Sequence, residues 1–289
     1  MNDGVECVWP VAAVLGEGPV WSAASRTLWF VDIKGSRIHA FDERNGATRS
    51  IATPEFAAFV FESAAGHMLC GLRSGLFRFT PAGQEFERLL RVDAEYPSNR
   101  LNDGYVDAAG RLWFGTMDNE HCAPTGSLYR FAGGQLRRMD ANYVISNGPA
   151  MSPDGRTLYH VDTLHRRVYA FDVDAAGELS NRRAFITLDE PEVHPDGPAV
   201  DSRGNLWLAL FGGWGVRCYS PDGALLCSIS LPVAQCTKVA FAGPDLRTLY
   251  ITTASVGLSG AQRAQQPLAG GLFRTRVEVP GLPAHRFAG

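Results

Sequence analysis

Apolar and polar positions along this chain alternate in short runs. The runs SRIHAFD (36–42), SGLFRFT (74–80), GSLYRFA (126–132), RRVYAFD (166–172), GVRCYS (215–220) and GGLFRTR (270–276) alternate apolar with polar residues. That is the pattern of a half-buried strand. Most of them follow another recurring phrase: Ser or Asp, two or three turn residues, Gly, then a short aromatic strand. Its copies are SAASRTLWF (22–30), SAAGHMLC (63–70), DAAGRLWFG (107–115), SPDGRTLYH (152–160), DSRGNLWLA (201–209) and GPDLRTLYI (243–251). Their central residues are Trp29, Leu69, Trp113, Tyr159, Trp207 and Tyr250. These lie roughly 40 to 48 residues apart, the period of a four-stranded propeller blade.

Pro-Asp-Gly, Ala-Ala-Gly and Ser-Arg-Gly close hairpins, while branched and aromatic residues populate the strands. No amphipathic stretch of convincing length has a helical period, so strands alternating with helices around a parallel sheet are excluded. The pattern therefore predicts an all-β fold: one six-bladed β-propeller, with four-stranded antiparallel blades around a central channel. Residues 1–289 form a single domain in this reading. Val5 to Trp9 is expected to pair near Leu272 to Val277 and close the ring.

Composition narrows the partners. Hydrophobic residues make up 45% of the chain, enough to fill a core. The 27 basic and 30 acidic residues give a net charge of −3, without the basic footprint of a nucleic-acid binder or a membrane-anchoring polybasic segment. No apolar run reaches the roughly 18 residues of a membrane helix. Met1 to Pro10 lacks the pattern of a secretory signal, so the expectation is a cytoplasmic protein with no nucleic-acid or membrane partner. Nothing in the pattern sets an oligomeric state. The six cysteines form no C-x-x-C pair and the histidines no H-E-x-x-H, so a Cys/His zinc site is not expected.

Candidate chemistry comes from aligning the repeats on their Ser or Asp turn residue and stepping back five positions. Glu17, Ala58, Asn102, Asn147, Asp196 and Lys238 then coincide, and four of the six carry a side-chain oxygen. Equivalent positions of a propeller lie at equivalent radius and height, so these side chains can converge at the channel mouth. Glu17-Gly18-Pro19, Asn147-Gly148-Pro149 and Asp196-Gly197-Pro198 share one local frame. Two readings stay open: simple turns, or an oxygen-rich ring suited to a hard divalent cation such as Ca²⁺ or Mg²⁺, with Mn²⁺ or Fe²⁺ also accommodated. Arg100 stands two residues before Asn102, and Glu120 lies in a polar loop after Gly115. Trp214 reads as a pocket wall or a buried blade contact, with the blade contact preferred.

Leu15-Gly16-Glu17-Gly18-Pro19-Val20-Trp21, Asn99-Arg100-Leu101-Asn102-Asp103-Gly104, Gly115-Thr116-Met117, Ile145-Ser146-Asn147-Gly148-Pro149 and Pro195-Asp196-Gly197 follow one another along the chain. Together they resemble the senescence marker protein / gluconolactonase / regucalcin-like family over nearly its whole length. The resemblance implies that Glu17, Asn147 and Asp196 hold one divalent cation: Ca²⁺, or Zn²⁺, Mn²⁺, Mg²⁺ or Fe²⁺ in its place. It implies that Arg100, Asn102 and Glu120 contact a sugar lactone, and that the chain hydrolyses it to the aldonic acid. Gly-Pro-Asp-Leu at 243–246, Thr252-Thr253-Ala254 and Pro267 to Gly271 are similar to bacterial pentonolactone hydrolases of the xylonolactonase type, which makes D-xylonolactone the expected substrate. Asp196 is the candidate catalytic base for the attacking water, or a ligand only. The alternative function is a non-catalytic, calcium-binding regulatory propeller.

Overall fold

The turn residue that recurs in the sequence is the structural fastener of the fold. In the computed structural model, which describes residues 4–289, Asp107 Oδ1 accepts from the backbone N–H groups of Ala109 and Arg111, at 2.9 and 3.0 Å. Its Oδ2 accepts from Trp113 Nε1 at 2.7 Å. Asp201 repeats this with Arg203, Asn205 and Trp207. Ser22, Ser63 and Ser152 do the backbone part of the same work. A short side-chain acceptor thus closes the hairpin and, where Asp precedes Trp, also satisfies a buried indole.

These hairpins link strands into antiparallel meanders. After β1 (Glu6–Trp9), the strands β2 (Gly16–Ser22), β3 (Thr27–Asp32), β4 (Arg37–Asp42) and β5 (Thr48–Ala52) form one four-stranded sheet. The next comprises β6 (Ala57–Glu62), β7 (Met68–Leu72), β8 (Gly75–Thr80) and β9 (Glu85–Arg91). A third holds β10 (Asn99–Val106), β11 (Leu112–Asp118), β12 (Gly126–Ala132) and β13 (Gln135–Tyr143). A fourth holds β14 (Ser146–Met151), β15 (Thr157–Asp162), β16 (Arg167–Val173) and β17 (Leu179–Thr187). The meander β18 (His194–Val200), β19 (Leu206–Phe211), β20 (Gly215–Tyr219) and β21 (Leu225–Ser230) completes the fifth repeat. Then come β22 (Cys236–Ala242), β23 (Thr248–Thr253), the helix α1 (Gly260–Gln265) and β24 (Leu272–Arg276).

The first strand and the last seven pair as one eight-stranded sheet in the order β1-β24-β23-β22-β18-β19-β20-β21. Strand pairing therefore yields five sheets, not six separate ones. The merger rests on a single parallel partner pair, Gly197 with Lys238. The expected closure is present: β1 runs antiparallel to β24, with Glu6 opposite Arg274 and Cys7 opposite Phe273. The architecture is an all-β propeller.

Burial falls steeply from the first strand of each meander to the last. Every residue of β14 is buried, whereas most of β9 and β21 is exposed. Between successive sheets lie apolar wedges. One contains Phe59, Phe61, Leu101, Phe114 and Tyr129; another contains Tyr159, Val161, Leu206 and Leu208. Truncating such a ring to Ala costs about 3–5 kcal/mol. No helix of the described residues is long and apolar enough to cross a membrane.

Each innermost strand also carries a register irregularity at the same place. The shifts fall at Glu17/Val20, Ala57/Phe59, Leu101/Gly104, Asn147/Ala150, Pro195/Pro198 and Cys236/Lys238. A bulge leaves a residue outside the ladder and re-aims its side chain. The Gly-Pro frames are therefore bulges within strands rather than turns, and Gly18 and Gly148 take φ of +55° and +76° there. At the opposite ends of these strands the chain's last segment crosses the propeller. Ala64 donates to Phe287 O, and Ala288 N donates to Gly110 O.

Candidate functional site

Glu17, Arg100, Asn102, Asn147 and Asp196 line one cavity of about 270 Å³ at the start of the inner strands. Lys34, Met117, His121, Thr163, Leu164, His194 and Phe211 contribute to the same wall. The five polar residues that the repeat alignment and family motifs single out are thus brought together, from four different sheets, because each sits on the bulge of its strand or beside it. All five are buried.

Hydrogen bonds connect them in a row. Arg100 Nη1 donates to Asn102 Oδ1 at 2.6 Å and to Leu101 O at 3.0 Å. Asn102 Nδ2 donates to Asn147 Oδ1 and to Ser146 O, both at 2.8 Å. Asn147 Nδ2 donates to Thr163 Oγ1 at 2.9 Å, and that hydroxyl donates to Pro195 O at 3.0 Å. The row ends beside Asp196, whose Oδ1 is buried without a hydrogen-bond partner. Glu17 Oε2 accepts only from Gly18 N, at 2.9 Å. At the other end Arg100 keeps Nε buried and unpartnered.

The electrostatics follow from this packing. Burial, then repulsion from Asp103, pushes the Glu17 carboxyl up to about 8, against the pull of Lys238. Burial, then Glu17 and Asp103, raises Asp196 well above the usual carboxylate range. Burial lowers Arg100 to about 10, while Glu17 and Asp196 favour its charge. Two buried carboxylates with few donors are a site that demands positive charge.

Beneath them sits an ion pair that sequence reasoning missed. Lys238 Nζ donates to Asp103 Oδ1, and Asp103 also accepts from Gly104 N and Gly148 N. Lys238 is one of the two ring positions, with Ala58, that carry no side-chain oxygen. Its sign was the available signal, since a buried ammonium requires a carboxylate, and Asp103 directly follows Asn102. Removing one partner of such a pair costs about 3–5 kcal/mol.

Two expectations meet a different arrangement. Glu120 is exposed, accepts from Asn119 Nδ2 at 3.1 Å, and is not part of the cavity wall; its neighbour His121 is. The loop turns Glu120 outward because Asp118 anchors the backbone of Glu120, Cys122 and Ala123. Trp214 is not a buried blade contact: it is 48% exposed on a tight turn with φ of +56°.

No three His, Cys, Asp or Glu side chains converge on one point among the described residues. The donor set in the cavity is two carboxylates and an amide, Glu17, Asp196 and Asn147. Oxygen donors of this kind match hard cations, and the orphaned Asp196 Oδ1 is the group that such an ion would satisfy.

The fold and the site together define a β-propeller with a buried, acid-rich pocket at the start of its inner strands. Residues 15–255 match the family model described as the SMP-30/Gluconolactonase/LRE-like region. The chain is 38% identical to a 6-deoxy-6-sulfogluconolactonase of Pseudomonas putida over 291 residues, covering 100% of both chains. It is 35% identical to the regucalcin of Oryctolagus cuniculus over 295 residues, covering 99% of this chain and 98% of that one. Its backbone matches the crystal structure of a calcium-binding protein, regucalcin, from Agrobacterium tumefaciens strain C58 with a TM-score of 0.95. That match has 29% identity and covers 99% and 97% of the two chains. The chain belongs to the SMP-30/gluconolactonase/LRE-like family.

Proposed function

We propose that this protein hydrolyses a sugar lactone to its aldonic acid, as a single propeller domain whose eight-stranded sheet counts as two of six blades. The observation that carries the reading is the cavity that gathers buried Glu17 and Asp196 with Arg100, whose Nε has no hydrogen-bond partner. The relative from Pseudomonas putida is named for opening a lactone of this kind.

Glu17, Asn147 and Asp196 would hold one divalent cation. When bound, it supplies Lewis-acid polarisation of the lactone and lowers the pKa of a water. Arg100 donates to sugar oxygens, which an apolar pocket does not reward. Asn102 holds Arg100 and Asn147 in register and meets the sugar at its edge, and Glu120 stands at the rim. Asp196, ionised in the metal-loaded protein, accepts the proton of the attacking water. Water adds to the carbonyl carbon, the ring C–O bond breaks, and the proton returns to the ring oxygen. The product is the hydroxy acid.

The test is a lactone panel that includes D-xylonolactone, our first candidate, and D-gluconolactone. It uses protein stripped with chelator and reloaded separately with Ca²⁺, Mg²⁺, Mn²⁺, Zn²⁺ or Fe²⁺, with spontaneous opening subtracted. Turnover should vanish with chelator and return with a cation. If loaded protein leaves every lactone at the uncatalysed rate yet binds Ca²⁺ tightly, the calcium-binding reading suggested by its structural relative replaces the hydrolase.

A further inference from the structure

The cavity and its surroundings carry three cations that hydrogen-bond to no carboxylate. Lys34 stands on the turn after β3, and Asp32 Oδ1 clamps that turn through Gly35 N at 2.9 Å. Its ammonium lines the cavity, lies 5.0 Å over the Phe56 ring, and donates to Asn119 Oδ1 at 2.7 Å. Arg73, on the turn between β7 and β8, donates to Pro97 O at 3.2 Å. Arg100 donates to Leu101 O and Asn102 Oδ1. Every one of these acceptors is neutral, whereas other cations of the protein, such as Arg111 and Arg130, reach carboxylates.

A carboxylate is available nearby and is not used. Glu120 neighbours Asn119, yet Asn119 stands between the charges: its Oδ1 accepts from Lys34 and its Nδ2 donates to Glu120. Asp118 is spent on backbone N–H groups. Burial, then repulsion from Arg100, lowers Lys34 against the pull of Glu120, and Arg73 adds a smaller repulsion. On the same wall, burial and then Arg100 and Lys34 lower His121, against Asp118 and Glu120. A partly buried ammonium held toward a cavity by a neutral amide is poised for an anion.

We propose that Lys34, with Arg100 and His121 on the same cavity wall, forms a subsite for an anionic substituent of the substrate. The substrate class is then a sugar lactone that bears a sulfonate or phosphate remote from its lactone carbonyl. This rests on the lactone-hydrolase reading and narrows it. Neutral lactones such as D-xylonolactone fill the reacting end of the same site and leave the rim cations unpaired.

Matched substrates test it: D-gluconolactone, 6-deoxy-6-sulfo-D-gluconolactone and 6-phospho-D-gluconolactone, with metal-loaded protein. One or both anionic forms should exceed the neutral one in kcat/KM by about tenfold or more, the worth of a charged hydrogen bond. Comparing the two identifies which anion fits. The preference should shrink as salt rises. Lys34→Met should bring the anionic-to-neutral ratio close to one, and Lys34→Arg should retain most of it. Calorimetry with D-gluconate and 6-phospho-D-gluconate gives an answer that needs no turnover. Equal ratios in wild type and Lys34→Met, or no gain in affinity from the added anion, overturn the subsite. Protein inert toward every lactone that still binds 6-phospho-D-gluconate more tightly than D-gluconate would overturn the hydrolase and leave the subsite standing.

Discussion

Two carboxylates, Glu17 and Asp196, are buried where hydrogen-bond donors are scarce, and the molecule's response to pH follows from that. In chelator-treated protein, Glu17 moves from its usual 4.5 to about 8 on folding. Between those values the folded protein keeps a proton that the unfolded chain has released, so stability falls as pH rises. His39 and His160 act in the opposite sense. Burial lowers them from 6.5 to about 4 and about 3, so their contribution is complete above pH 6.5 and is lost as pH falls below it. The histidines' opposing slope has largely faded by about pH 7.5, so the Glu17 loss is read most cleanly from there to pH 8. It should amount to at most ~1.4 kcal/mol per pH unit for one proton, seen as a falling Tm in chelator. Saturating Ca²⁺ should abolish or invert the slope, because a bound cation favours both carboxylates ionised. A flat Tm in chelator over that range would contradict the burial of an uncompensated carboxyl.

Among the elements, the hairpin between the first two strands of a repeat does the most with the fewest residues. In the turn from β10 to β11, Asp107 takes two backbone N–H bonds, Arg111 Nε at 2.6 Å and the Trp113 indole. Trp113 is fully buried. Asp107→Ala frees the turn and leaves that indole N–H without an acceptor. The expected cost is about 2–4 kcal/mol, measured as a lower urea midpoint at unchanged m-value. A change below about 0.5 kcal/mol, within the scatter of surface substitutions, would show that the phrase is only a turn preference. The bulges are the other decisive element. They turn a repeated strand position into a ring of inward side chains, and without them Glu17, Asn147 and Asp196 would follow the plain two-residue alternation of a strand.

For the molecule as a whole, two contacts far apart in sequence hold the ring. The pairing of β1 with β24 joins its ends. The last segment spans the far side, where Phe287 is buried against Phe131 with ring centroids 5.6 Å apart. Phe287→Ala should lower stability by about 3–5 kcal/mol, followed by thermal unfolding. The site lies at the other ends of the inner strands, so metal affinity should stay close to wild type. A loss of affinity at unchanged Tm would mean that the tail communicates with the cavity.

The chain determined by itself whatever depends on local pattern. Strand alternation, the Ser or Asp turn acceptors and the blade-length period are set by neighbours within a few residues, so the all-β propeller and its closing strand were legible. The repeat alignment also exposed Glu17, Asn102, Asn147 and Asp196, because a propeller maps equal repeat positions to equal places. Tertiary structure alone decided which charges meet. Asp103 and Lys238 are 135 residues apart, and Lys34 and Asn119 are 85 apart; no periodicity encodes such pairings. The strand pairing that merges the last two meanders hangs on Gly197 and Lys238. The outward turn of Glu120 likewise depends on where Asp118 finds its N–H partners. A side chain's type sets what it can bond, and only the folded backbone sets what stands within reach.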